Sequence, residues 1–274
     1  TPTITGTTDA EAGQVVTVVI TDAAGNVQTV STTVNPDGTY SVDAVTPLAD
    51  GDYTAKATVS DVAGNSAEAT DPGTVDTTAT ISVTVPSGTD TTPTISGQTN
   101  DVEAGQVVTI VVTDKDGNAQ TISTTVNPDG SYSVDVPAAV ADGGYSVSVS
   151  VTDKAGNTAT ANGQGSIDSK VTITVVAPDL TNDNTPTITG TTDAEAGQVV
   201  TVVITDAAGN VQTVSTTVNP DGTYSVDAVT PLADGDYTAK ATVSDVAGNS
   251  AEATDPGTVD TTAPTITVDA PDNT

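Results

Sequence analysis

Residues 141–157 read ADGGYSVSVSVTDKAGN, a pattern typical of a strand with a turn on each side. Between residues 145 and 151 a tyrosine and three valines alternate with three serines. Alternation with a period of two predicts a strand with one buried face and one face in water. The Asp, Gly and Asn residues on either side are typical of tight turns. This stretch therefore predicts β structure, and the same pattern extends in both directions.

Applying this reading to the surrounding copy predicts seven strands and no helix, because no segment shows helical periodicity. The predicted strands are Thr80–Val85, Pro93–Gln98, Gln106–Thr113, Ala119–Val126, Ser131–Val136, Tyr145–Thr152 and Thr158–Ile167. Seven antiparallel strands in about 90 residues favour an immunoglobulin-like (Ig-like) β-sandwich.

Two short segments support the Ig-like interpretation. ADGDY at 49–53 and ADGGY at 141–145 resemble the tyrosine corner of Ig domains, where a Tyr hydroxyl bonds back to the preceding corner. Ala55 and Val147 occupy the place of the Ig cysteine two residues later, and the sequence contains no Cys. We therefore expect a sandwich without an intersheet disulfide.

The sequence repeats over long distances. Residues 1–79 recur unchanged at 185–263, and a diverged copy begins at Thr92. A period of about 90 residues exceeds the roughly 20 to 50 of solenoid repeats and fits independent β domains. Perfect identity between two copies favours a modular array over a chain with one unique active site.

An odd number of strands places the two ends of a domain on opposite sides, so tandem copies predict an extended rod. VDTT at 75–78 and 259–262 is interpreted as the junction between copies. The predicted units are 1–76, a repeat lacking its first strand; 79–168 and 169–260, two complete repeats; and 263–274, an orphan first strand of a following repeat. Unpaired strand edges template pairing, so we predict that Thr265–Ala270 fills the gap in residues 1–76 of another molecule, head to tail.

Composition excludes several classes of function. The chain carries 36 acidic residues, 5 lysines and no His, for a net charge of −31. This charge excludes nucleic-acid binding and disfavours anionic lipid surfaces. Without His or Cys, Ser–His–Asp and Cys–His catalysis is impossible, and no phosphate-binding loop occurs, so we expect no enzyme activity. No apolar run has the length of a membrane span and no signal peptide is recognised, which predicts a soluble chain or an internal part of a larger one.

The negative charge has two interpretations, which are solubility through self-repulsion and ligation of a hard cation such as calcium. The positions of the acids favour calcium, because acidic turns of one domain face the exit of the domain before it. We expect the first junction to gather Asp76, Asp101, Glu103 and Asp153, with Asp22, Asp52, Asp129 and Asn157 nearby. We expect the second junction to use Asp168, Asp193, Glu195 and Asp245.

A different metal site is conceivable within the middle domain. DKDGN at 114–118 resembles a fragment of a calcium loop, with Asp114, Asp116 and Asn118 as ligands. The corresponding DAAGN segments at Asp22–Asn26 and Asp206–Asn210 lack the central ligand. Ordinary hairpin turns use the same residue types, so both interpretations stay open. NPDG at 127–130 is interpreted as a plain turn.

With TPTITGTT, ADGDY, DVAGN and VDTTAP in register, the whole chain resembles the bacterial Ig-like extender repeats of large RTX-type adhesins. The resemblance implies type I export, an extracellular position at the bacterial cell surface, and calcium at junctions with neighbouring repeats. The matching acids are Asp76 and Asp260 at the exits, Asp9, Glu11, Asp101, Glu103, Asp193 and Glu195 in loops, and Asp61, Asp153 and Asp245 in hairpins. The middle copy departs from the pattern by exiting as SIDSK, where Asp168 keeps the carboxylate and Lys170 adds a positive charge.

Two functions follow from these observations. The first is a mechanical spacer of a long adhesin, stiffened by calcium. The alternative is a repeat-borne binding module for sugar, ice or a host protein, since Thr54, Thr58, Ser146 and Ser148 form outward-facing polar rows. Thr is also common on any wet β surface, so this feature alone does not favour binding.

Overall fold

The computed structural model describes residues 1–270, which form nineteen strands and no helix. The first domain contains β1 (Thr3–Thr7), β2 (Val15–Thr21), β3 (Val27–Thr33), β4 (Thr39–Asp43), β5 (Gly51–Ser60) and β6 (Ser66–Val75). The middle domain contains β7 (Thr80–Ile81), β8 (Thr94–Asn100), β9 (Val107–Thr113), β10 (Ala119–Thr125), β11 (Ser131–Asp135), β12 (Gly143–Thr152) and β13 (Thr158–Ile167). The third domain contains β14 (Thr187–Thr191), β15 (Val199–Thr205), β16 (Val211–Thr217), β17 (Thr223–Asp227), β18 (Gly235–Ser244) and β19 (Ser250–Val259).

Each domain is a two-sheet sandwich with its own core. In the middle domain a four-stranded sheet, ordered β10-β9-β12-β13, packs on a smaller sheet, ordered β11-β8-β7. The first and third domains repeat the four-stranded order as β3-β2-β5-β6 and β16-β15-β18-β19. All pairings between named strands are antiparallel, so the predicted all-β, tandem Ig-like fold is confirmed. Among residues 1–270 there is no helix able to cross a membrane.

The alternation of apolar and polar residues from Tyr145 to Val151 places the core. Tyr145, Val147, Val149 and Val151 of β12 are all buried. They pack with apolar residues of the central strand β9 and of the facing sheet. Six of the seven predicted strands of this copy are present, with ends shifted by a few residues.

The predicted strand Thr80–Val85 is only partly correct. Thr80 and Ile81 form a regular ladder with β8, after which Thr84 makes a single bridge to Ser96. The chain then crosses to the other sheet, where Gly88 bridges in parallel to the end of β13. A Pro at 86 lacks the N–H that a continuous ladder would need, which ends the strand there.

The equivalent segment of the third domain behaves in the same way. Ile173 and Val176 make isolated bridges to the loop after β14 and to β14 itself, and Thr181 then bridges in parallel to Val259. We call residues 80–86 and 172–178 the crossing segments of the middle and third domains. The predicted domain limits 79–168 and 169–260 are compatible with these pairings and stay a prediction.

The tyrosines contact the crossing segments, which corrects the predicted tyrosine corner. Tyr145 donates its hydroxyl to the carbonyl of Pro86 at 2.6 Å, and Tyr132 donates to the carbonyl of Ser82. The predicted partner in the preceding corner was therefore wrong. The crossing segment runs over the rings of both tyrosines, so its carbonyls are the acceptors within reach.

Candidate metal sites at the domain junctions

A shallow pocket of about 640 Å³ lies at the first junction. Its acidic lining residues are Asp50, Asp76, Asp101 and Glu103. The first two belong to the first domain and the last two to the loop after β8 of the middle domain. The structure thus brings together three of the acids predicted for this junction and adds Asp50.

An asparagine links the two domains directly at each junction. At the first, the Asn157 Nδ2 donates to Asp153 Oδ2 at 2.7 Å and to the backbone carbonyl of Asp76 at 3.1 Å. At the second, the Asn249 Nδ2 donates to Asp245 Oδ2 at 2.8 Å and to the carbonyl of Asp168 at 2.9 Å. The hairpin after β12 or β18 is therefore fixed to the exit of the preceding domain.

The hydroxyl groups of the residues that follow the last strand of a domain, which we call its exit segment, also donate hydrogen bonds to acids near the junction. Thr78 donates its Oγ1 to Asp101 Oδ2 at 3.3 Å and lies within 3.4 Å of Asp50 Oδ2. At the second exit Ser169 donates to Asp142 Oδ1 at 2.6 Å. The hydrogen bond from Ser169 is the main reason that the pKa of Asp142 lies below its usual value.

Sequence reasoning missed Asp50, Asp142 and Asp234, which accept from exit hydroxyls in all three copies. It chose Asp52, whose carboxylate instead accepts from Thr74 on the exposed surface of the β5–β6 ladder. The signal was present in ADGDY and ADGGY. The first Asp of this segment occurs in every copy, whereas the second is Gly144 in the middle one.

Glutamates of the loops after β1, β8 and β14 tie together the turns at one end of each domain. Glu103 Oε2 accepts the backbone N–H of Lys154 at 3.0 Å, and Glu195 Oε2 accepts that of Val246 at 3.1 Å. Glu11 makes the same contact with Val62 in the first domain. The carboxylates are thus held beside the hairpin that meets the preceding exit.

Carboxylates at the second junction repel one another. Burial raises the pKa of Asp168 above its usual value, and the negative charges of nearby carboxylates raise it further, in the order Asp245, Glu195, Asp142 and Asp193. Lys170 lies 3.8 Å from Asp142, but its side chain is 75% exposed. An exposed pair of this kind contributes little. Four of these five acids were predicted to meet here, and they act on one another as a group.

In the DKDGN loop the carboxylate oxygens of Asp114 already accept hydrogen bonds from other residues of the same turn. Asp114 Oδ1 accepts the backbone N–H groups of Asp116 and Asn118, and its Oδ2 accepts the Asn118 side-chain amide. Asp116 pairs with Lys115 at 2.8 Å. These hydrogen bonds, above all that from the Asn118 side chain, lower the pKa of Asp114. The geometry is that of a hairpin turn, and a metal role for these three residues stays a prediction.

The remaining predicted residues lie apart from the two junctions. Asp22 is buried in the β2–β3 turn, where Asn26 and the N–H of Ala49 occupy its oxygens. Asp129 accepts from Ser131 within the NPDG turn, as a plain turn requires. Asp9, Glu11 and Asp61 are at the N-terminal end of the first domain, and Asp260 is at the exit of the third.

Within residues 1–270, no three acidic side chains converge into a preformed cation site. At the first junction the Asn157 amide bridges Asp153 and Asp76. The donor set nevertheless suits calcium in kind, since it consists of hard carboxylate and carbonyl oxygens with excess negative charge. The junction acids fit this ion chemically, and binding would require their side chains to turn inward.

The sequence pattern of one family, described as bacterial Ig-like domain, matches residues 1–77, 87–169 and 174–261. The chain belongs to this family of bacterial Ig-like domains. No curated protein matches the chain. The predicted resemblance to the Ig-like repeats of large bacterial adhesins is confirmed.

Solved structures similar to this bacterial Ig-like chain include three from adhesins. A tetra-tandem repeat in the extending region of a large adhesion protein is 35% identical, with 94% of this chain and 70% of that chain covered and a TM-score of 0.39. A 1.5-MDa bacterial ice-binding adhesin is 28% identical, with 94% and 89% covered and a TM-score of 0.42. A Ca²⁺-stabilized adhesin with which an Antarctic bacterium binds ice is 31% identical, with 96% and 69% covered and a TM-score of 0.37.

Proposed function

We propose that this chain is a structural spacer, an extender segment of a long adhesin at the bacterial cell surface, and not an enzyme. The observation that carries the proposal is the direct linkage of successive domains. Each exit segment is hydrogen bonded to a hairpin of the next domain, through Asn157 at the first junction and Asn249 at the second. Repetition of the same contact along the chain transmits force and orientation, which is what a spacer requires.

We propose that calcium stiffens these junctions. Its ligands would come from Asp50, Asp76, Asp101, Glu103 and Asp153 at the first junction and from Asp142, Asp168, Asp193, Glu195 and Asp245 at the second. The ion would supply positive charge to offset the excess of carboxylates at each junction. Asp9, Glu11 and Asp61 would serve a preceding repeat, and Asp260 a following one.

Calcium is expected to raise the melting temperature of the metal-free chain and to lengthen it in solution. An ion that binds only the folded state at 100 times its dissociation constant stabilises by about 2.7 kcal/mol. Differential scanning calorimetry and small-angle X-ray scattering, each in EDTA and in millimolar calcium, measure the two effects. Unchanged melting and unchanged dimensions would contradict the calcium proposal.

The variant Asp168→Asn is expected to have opposite effects in the two conditions. The pKa of Asp168 is raised in the folded state. The carboxyl group of Asp168 therefore contributes stability below its unfolded pKa, and this contribution is lost as the pH rises through the folded pKa. At neutral pH in EDTA the neutral side chain relieves this repulsion and raises the melting temperature. In calcium the same change removes a ligand and lowers the melting temperature.

The matched control is Asp179→Asn, which removes one exposed carboxylate beside the C-terminal end of the crossing segment in the third domain, away from the second junction. We expect this control to change melting little, and equally with and without calcium. A shift of the same sign for Asp168→Asn in both conditions would remove Asp168 from the calcium site.

We also propose that molecules of this chain associate head to tail by strand complementation. Ile266 and Val268 near the C-terminal end are each 93% exposed. Apolar side chains of an extended segment gain stability by adding to an open sheet edge. In the first domain β1 and β4 form a two-stranded sheet, without a third strand among the described residues.

A further inference from the structure

In the middle and third domains the chain just after the crossing segment is hydrogen bonded to the end of the last strand. Gly88 donates its N–H to the carbonyl of Ser166 at 3.0 Å, and its own carbonyl accepts the N–H of Asp168 at 3.0 Å. In the third domain Thr181 makes the same two bonds to the end of β19, at 2.9 Å each. Both pairings are parallel, unlike the antiparallel ladders between the named strands. We call each pair of hydrogen bonds the parallel bridge of its domain.

Each parallel bridge lies at the end of its domain opposite to the point where the chain enters. The chain enters the third domain beside the hairpin after β18, where Asn249 holds the preceding exit. It leaves at Asp260, whose N–H donates to the carbonyl of Thr181. β19 runs from that hairpin to this exit, and the crossing segment runs beside it in the same direction. The stretch 172–181 therefore connects the entrance of the domain to its exit without passing through another strand.

When the two ends of a domain are pulled apart, the tension acts along this stretch. A pull at the entrance draws the crossing segment toward the preceding domain, and a pull at the exit draws the end of β19 the opposite way. The hydrogen bonds of a sheet run across its strands, so opposite pulls along two parallel strands load these bonds in shear. The two bonds of the parallel bridge therefore have to break together before the domain can lengthen.

Each of the two domains adds one more hydrogen bond between the same parts of the chain, from a different side chain. In the third domain Asp255 Oδ2 of β19 accepts the N–H of Ala177 at 2.8 Å. In the middle domain Gly163 occupies the position of Asp255, and Ser87 Oγ accepts the N–H of Ser166 at 3.0 Å instead. Two unrelated side chains thus make the same connection to the last strand, although the two domains differ in sequence here.

We propose that the parallel bridge, with its added side-chain bond, carries the tension on each repeat and sets the force at which the repeat unfolds. In the third domain the crossing segment makes only isolated bridges to β14 and the loop after it, whereas β19 pairs with β18 over ten residues. The crossing segment is therefore the first element that tension releases. The purpose of this bridge rests on the proposed spacer function, but its effect lies within one repeat and is measured in EDTA, apart from any calcium at the junctions.

Single-molecule force spectroscopy of the third domain tests this proposal, because forced unfolding reports the unfolding rate. The chain contains no Cys, so Lys170→Cys with Ala263→Cys attaches one handle at each end of the domain, at exposed side chains. In this background Asp255→Ala is expected to unfold about tenfold faster at constant force, since it loses one charge-assisted hydrogen bond to the crossing segment. Asp255→Asn keeps an acceptor oxygen and is expected to restore most of the resistance.

The matched control is Val214→Ala on β16, the strand at the opposite edge of the same sheet from β19. Val214 is buried, so its truncation is expected to lower the melting temperature at least as much as Asp255→Ala does, which calorimetry measures. Under force we expect it to change the unfolding rate less than about twofold, because its contacts stay intact when the bridge breaks. Equal acceleration by the two substitutions, or none by Asp255→Ala, overturns the proposal.

The direction of pulling separates loading in shear from weakness of the domain as a whole. Leu180→Cys with Ala263→Cys attaches both handles at the exit end, on the two sides of the parallel bridge, and Leu180 is 71% exposed. The domain is expected to yield at roughly half the force or less in this direction, since each hydrogen bond is then broken singly. Equal forces in the two directions would overturn the shear loading. A calcium response of melting without these force effects would leave the spacer function standing and remove the parallel bridge alone.

Discussion

Replacing Gly190 with alanine is expected to expel the crossing segment from the third domain. A Cβ atom at this position would overlap the Thr174 carbonyl oxygen and the Tyr224 hydroxyl. The carbonyl cannot retreat cheaply, because the N–H of Thr174 donates to the Thr191 carbonyl at 2.8 Å in the same ladder. Overpacking of this kind costs about 1–3 kcal/mol, and loss of the segment adds to it. Calorimetry measures the result, since each 1 kcal/mol lowers the melting temperature of a domain of 60–100 residues by about 4–8 °C.

Gly6→Ala is the control with the same local sequence. Here the three heavy atoms nearest to the added Cβ all belong to the side chain of Tyr40, which lines an open pocket of about 480 Å³ between the β1–β4 pair and the β5–β6 edge and has space to rotate. We expect the first domain to lose much less stability than the third loses in Gly190→Ala. Equal losses would show that the tyrosine contact, and not the crossing segment, sets the requirement for glycine.

Much of this architecture was predictable because the pattern is local and periodic. The alternation from Tyr145 to Val151 alone predicts which face of β12 is buried, and all four apolar side chains are buried. The turns follow in the same way from Asp–Gly and Gly–Asn pairs, whose hydrogen bonds involve neighbours within four residues, as with Asp153 and Asn157. Because the sequence repeats, the prediction for one domain applies to all three.

The errors concern contacts between residues that are far apart in sequence. The acceptor of the Tyr145 hydroxyl lies 59 residues earlier, on a crossing segment whose path no local pattern encodes. The local sequence does not separate Asp50 from Asp52, because both lie in the same turn. They are distinguished only by the exit hydroxyls of Thr77 and Thr78, which donate to Asp50. At the first junction Asp76, Asp101 and Glu103 line one pocket, but the amide of Asn157 already bridges Asp76 and Asp153.

Hydrogen exchange is expected to proceed at different rates in two identical peptides from different domains. YTAKATVS occurs at 53–60 in the first domain and at 237–244 in the third, so a digest yields both copies at one mass. We expect a bimodal isotope envelope, with the slower half from the third domain. Ala239, Ala241 and Val243 of that copy are at most 1% exposed, because the crossing segment covers them. Mass spectrometry of the unmodified chain at low concentration measures the split without any substitution.

The size of the split reports the contribution of the crossing segment to stability. A difference of about 1.4 kcal/mol in opening free energy separates the two rates tenfold. The peptide YSVSVSVT at 145–152 occurs once, and its Tyr145 is hydrogen bonded to the crossing segment of the middle domain. It is therefore expected to give a single envelope and serves as the control. A single envelope for YTAKATVS would mean that the crossing segment adds no measurable stability.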